Sequence, residues 1–61
     1  MDDKMIAEMV AAMSKEEPEN IERLRRKALE DPKRREDAEF VRFVNALCDA
    51  ALHKNSKQKA A

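Results

Sequence analysis

Cys48 and His53 are the residues of this 61-residue chain whose types come closest to doing chemistry. A cysteine–histidine pair acts as nucleophile and base only within hydrogen-bond reach and with a third group to orient the imidazole. Five positions apart on a helix, these two do not share one face cleanly. The thiol therefore reads as a small buried hydrophobe, and His53 as a helix-end residue favoured by the negative pole of the dipole. With a single cysteine and a single histidine, neither an intrachain disulfide nor a tetrahedral zinc site can be assembled. Glu36, Asp37 and Glu39 are candidate acid–base carboxylates, but acids in a helix's first turn are expected for dipole reasons alone. No catalytic residue, metal or cofactor is assigned, and neither an enzyme nor a small-molecule site is expected.

Charge carries more information. The stretch RLRRKALEDPKRRED, residues 23–37, holds seven of the thirteen basic residues, yet the formal net charge is zero. Residues 1–22 contain seven acids and two bases, a net of −5, whereas residues 23–35 contain seven bases and two acids, a net of +5. The chain is polarised, not basic. Glu19–Arg23 and Glu22–Arg26 stand at i, i+4 in the favourable order. Arg25, Lys27, Lys33, Arg34 and Arg35 lack an obvious local acid and are the candidate basic contact set. A polyanion would reward such a cluster with steeply salt-dependent binding. The neutral net charge and the lack of an adjacent stacking aromatic place nucleic acid second to an acidic protein surface.

The elements that must position these groups are helical. Glycine is absent, Pro18 and Pro32 are the only breakers, and good helix formers dominate the composition. The pattern predicts helices over about 3–13, 18–30 and 33–54, with Asn55 ending the last of them and 55–61 as a flexible polar tail. Asp2 or Asp3 caps the first helix, Ser14-Lys15-Glu16-Glu17 matches a capping box for the second, and Asp31-Pro32 opens the third. Met5, Ile6, Met9, Val10 and Met13 form one apolar stripe on the first helix. The third carries Ala38, Phe40, Val41, Phe43, Val44, Ala46, Leu47, Cys48, Ala50, Ala51 and Leu52, wider than two short helices would cover. Arg42, Asn45, Asp49 and His53 form its polar ridge. Phe40, Val44 and Leu47 are expected at the centre of the core, with Ile21 and Leu24 beside them.

The expected fold is all-α: one small three-helix unit or helical hairpin spanning residues 1–54, with a long C-terminal helix. A core of this size rarely supplies more than about 3–5 kcal/mol, which argues for dimerisation or a larger partner. Met5, Met9, Met13, Phe40, Phe43 and Leu47 are the candidate apolar contact set, since methionine-rich stripes suit adaptable docking. The start MDDKMIAEMV, acidic at once, is not expected to act as a secretory signal, and no run approaches the roughly 20 apolar residues of a membrane span. With its lone thiol, the chain is expected in the cytoplasm. The function that fits is a non-catalytic interaction protein, such as a phage-type or accessory regulator, that binds and modulates a larger protein. A nucleic-acid-binding regulator using residues 23–35 is the alternative.

Overall fold

The computed structural model describes residues 2–60, the last three by backbone alone, and Met1 and Ala61 lie outside the described residues. The described residues are helical with short connections. They form α1 (Asp3–Met13), α2 (Pro18–Ala28), a short α3 (Pro32–Arg35) and the long α4 (Ala38–Ala60). Each of the first three packs on α4. The molecule spans 39 × 26 × 13 Å.

The prolines and aspartates explain the boundaries. Asp2 caps α1, its carboxylate accepting from the Lys4 amide at 3.2 Å. Pro18 occupies the first turn of α2, where a missing N–H costs nothing. That helix stops at Ala28, two residues before the expected end, because Pro32 forces extended backbone at Asp31 (ψ 120°). Asp31 accepts from the Lys33 amide at 2.9 Å and starts α3.

Three local expectations are corrected. The last long helix does not run unbroken from residue 33: the chain breaks at Glu36 and Asp37, and α4 begins at Ala38. Asp37 causes the restart, its carboxylate accepting from the Glu39 and Phe40 amides at 3.1 and 3.2 Å. Asn55 does not end α4, which continues to Ala60 through residues expected as an irregular tail. Lys, Gln and Ala are good helix formers, and Asn55 itself is held from within. Ser14 does not cap α2. It follows α1, and its hydroxyl turns back to donate to the Ala11 carbonyl at 2.8 Å.

The core is small and lies between α2 and α4. Ile21 and Ala51 are fully buried, with Val44 and Cys48 completing the cluster. Met13, Ala28, Leu29, Phe40, Phe43 and Leu52 pack around it, partly covered. Ile21, not Phe40, is therefore its centre. Leu47 is buried as expected, whereas Leu24 is 48% exposed.

α1 is fastened by a polar clamp. Asn55 is buried on α4, and its amide donates to the carbonyls of Ser14 and Glu16, both at 2.8 Å. These carbonyls follow α1, where the chain has run out of intrahelical donors. One side chain thus satisfies two acceptors and ties the α1–α2 turn to α4.

Candidate functional site

Successive helix residues stand about 100° apart around the axis, so Leu24 and Arg25 leave α2 toward opposite edges of its seam with α4. On α4, Asn45 and Asp49 lie along one edge, Phe43 and Leu47 along the other.

The first edge is closed by Arg25. Its guanidinium donates to Asp49 at 2.7 Å, to Glu22 at 3.1 Å and to Asn45 at 3.3 Å. The hydrogen bond to Asp49, helped by the Glu22 charge, outweighs partial burial and raises the Arg25 pKa. Arg25 Nε is buried without a hydrogen-bond partner. The guanidinium is thus partly covered and engaged by three side chains at this edge, unlike the rest of the basic contact set. Local spacing offered only Glu22, at i, i+3, because Asn45 and Asp49 lie 20 and 24 residues away. Among the described residues, the ion pairs are those of Arg25 with Glu22 and Asp49, not the expected Glu19–Arg23 and Glu22–Arg26. Cys48 lies beneath this edge. Burial pushes its thiol pKa up, and the neighbouring Arg25 charge only partly offsets that.

The second edge is open. Leu24 and Ala28 of α2, Phe40, Phe43, Val44, Leu47 and Cys48 of α4, and Met13 of α1 line an apolar groove of about 270 Å³. On the outer side of Leu24, a second open hollow of about 300 Å³ is lined by Leu24 with Glu16, Asn20 and Arg23.

The structure divides the expected apolar contact set. Met13, Phe40, Phe43 and Leu47 meet in the groove, while Met5 and Met9 stand apart from its walls. Met5 is 53% and Met9 36% exposed, so these two do not face the core. Ile6 and Val10, half-buried, take the inward side of α1. The wide apolar surface of α4 is likewise less than its sequence implied: Ala46 and Ala50 are exposed, but both are small.

Of the basic set, Lys27, Lys33, Arg34 and Arg35 are exposed around α3 and have no ion pair among the described residues. The Arg34 guanidinium lies over the Phe40 ring, 5.1 Å from its centroid, linking the cationic corner to the mouth of the groove. Of the acids near them in sequence, Asp31 and Asp37 spend carboxylate oxygens on helix caps, while Glu30 and Glu36 are exposed.

Comparison with known proteins adds nothing to this geometry. No protein-family model, curated protein or solved structure matches the chain. Among the described residues no helix is long and apolar enough to cross a membrane.

Proposed function

We propose that this chain is a small non-catalytic interaction protein that works as a homodimer and binds and modulates a larger protein. The observation that carries the reading is the open groove, an apolar surface left uncovered next to an exposed cationic corner. Lys33, Arg34 and Arg35 are the residues for an acidic partner face, with Lys27 beside them. Oriented charges of this kind raise association rates and select partners more than they add affinity. The apolar surface serves self-association, which supplements a core too small to be secure alone.

The test is a comparison of wild type with the combined Lys33→Glu, Arg34→Glu and Arg35→Glu variant. Arg25 is left intact because it holds α2 to α4. An acidic protein captured from host extract and then purified should bind wild type directly. The reversed variant should bind it more weakly, chiefly through a slower on-rate. Wild type should shift neither duplex nor single-stranded nucleic acid at about 50 mM salt, where such contacts are strongest. A nucleic-acid shift with a log–log salt slope of about −0.9 per duplex phosphate contacted would instead assign the corner to the alternative regulator.

A further inference from the structure

The groove and the methionine row belong to one surface. Met13 lines the groove, and Met9 and Met5 precede it by one and two helical turns on the same side of α1. The apolar hollow therefore runs into a row of apolar knobs. At about 270 Å³ the hollow falls just below the range of small-molecule sites. It also lacks the convergent polar groups that orient a small ligand, its lining being apolar side chains. Its walls suit the side chains of another helix.

Charge identifies that helix. Arg23 and Lys27, both exposed, flank Leu24 and Ala28 on the outer side of α2 and give that side of the groove a basic rim, with Glu16 beside Arg23 in the adjoining hollow. The methionine row is bordered by Glu8, exposed on the outer side of α1 one turn after Met5, with the exposed Lys4 one turn before Glu8. The chain carries an apolar knob that offers a carboxylate and an apolar socket that offers two cations, side by side.

We propose that the groove of one copy receives the Met5–Met9 row of a second copy, and that the second copy's groove receives the first's row in return. This deepens the homodimer reading above and rests on it. Because the socket and the knob adjoin at Met13, a two-fold axis passing near Met13 brings each knob over the other copy's socket. That makes the contact isologous, so it closes at two copies. Glu8 of each copy then faces the Arg23–Lys27 rim of the other. No helix is swapped: Ile6 and Val10 stay half-buried, and Asn55 keeps the end of α1 on its own α4.

Sedimentation equilibrium of the full chain, with circular dichroism to verify that helicity is kept, tests the proposal. Wild type should move from 7.0 kDa monomer to dimer as concentration rises. Leu24→Glu and Met9→Ser replace side chains already exposed in the single chain, and each should weaken the dimer by about tenfold or more. Glu8→Lys alone and Lys27→Glu alone should each weaken it several-fold. Mixed in equal amounts, those two variants should recover a heterodimer, because both rim contacts regain opposite charges. A monomer at every concentration would overturn the proposal together with the homodimer reading. A dimer indifferent to Leu24→Glu and Met9→Ser would overturn the proposal and leave that reading standing. Charge variants that weaken the dimer but fail to rescue one another would overturn the facing of Glu8 against the rim.

Discussion

The two edges of the α2–α4 seam are built from neighbouring residues and finished in opposite ways. On one, Arg25 reaches across to Asn45 and Asp49 and closes the gap with charged hydrogen bonds. On the other, Leu24 stops short of Phe43 and Leu47 and leaves a groove. The helices, their separation and their core are common to both edges. Size alone therefore does not explain the opening, since the same chain has a long side chain available to close a gap where one is placed. A leucine in that position keeps the surface apolar and accessible, at the cost of hydrophobic area left in water. On the proposed account, the second copy recovers that cost.

Breaking the part shared by both edges should have the largest effect. Ile21→Ala removes a fully buried side chain and should cost about 2–5 kcal/mol in urea unfolding. In a domain this small, such a loss unfolds much of the population. Leu24→Ala, measured dilute, should cost far less. Equal losses would mean that α2 is rotated from the phase described. The polar clamp comes next. Asn55→Ala leaves the Ser14 and Glu16 carbonyls without their side-chain donor, which should cost about 1–3 kcal/mol. Hydrogen exchange should localise the damage, with α1 amides losing protection before those of α2. A change indistinguishable from a surface substitution would show that the clamp is not holding α1.

The closed edge should respond more weakly than its bonds imply. The Arg25 side chain is 21% exposed and that of Asp49 67%, so solvent screens the pair. Asp49→Ala should cost about 0–1 kcal/mol by urea unfolding, and a much larger loss would show that this edge is better buried than described. The Cys48 thiol gives the smallest signal. Burial raises its pKa, so the folded chain holds that proton more tightly than the unfolded chain does. Its contribution to stability should be constant below the ordinary thiol range and decline as pH rises through that range toward the raised folded value. Alkylation at mildly alkaline pH should accordingly be much slower in the folded chain than in urea. Equal rates would contradict its burial.

Helix type, the extent of α1 and the start of α2 follow from local chemistry, which is why they were legible in the sequence. Asp2, Pro18 and Asp31-Pro32 act within a turn of themselves. Asp37 reads in the sequence as a first-turn acid of one continuous helix, not as the cap of a new one, because the pattern after Pro32 holds no further breaker. The roles of Asn55 and Arg25 were not legible. Both look like ordinary polar helix residues, and each acquires its function from a partner 20 to 41 residues away. The candidate apolar set was found by residue type, but not its division into groove walls and exposed knobs. Periodicity gives the phase of a stripe without saying how much of it a neighbour covers. Arg25 shows the same limit for charge: counting local acids marked it as free, whereas the fold uses it as a bridge.

Completion of the open edge by a second copy makes thermal stability depend on concentration. A dimer is stabilised by mass action, whereas a monomer's melting temperature is independent of concentration. The most direct measurement is Tm for wild type and Leu24→Glu over a wide range of protein concentration. Wild-type Tm should climb with concentration, while Leu24→Glu should stay nearly level, the two meeting at high dilution. A wild-type Tm that does not move, or a Leu24→Glu curve that climbs in parallel with it, would contradict the claim.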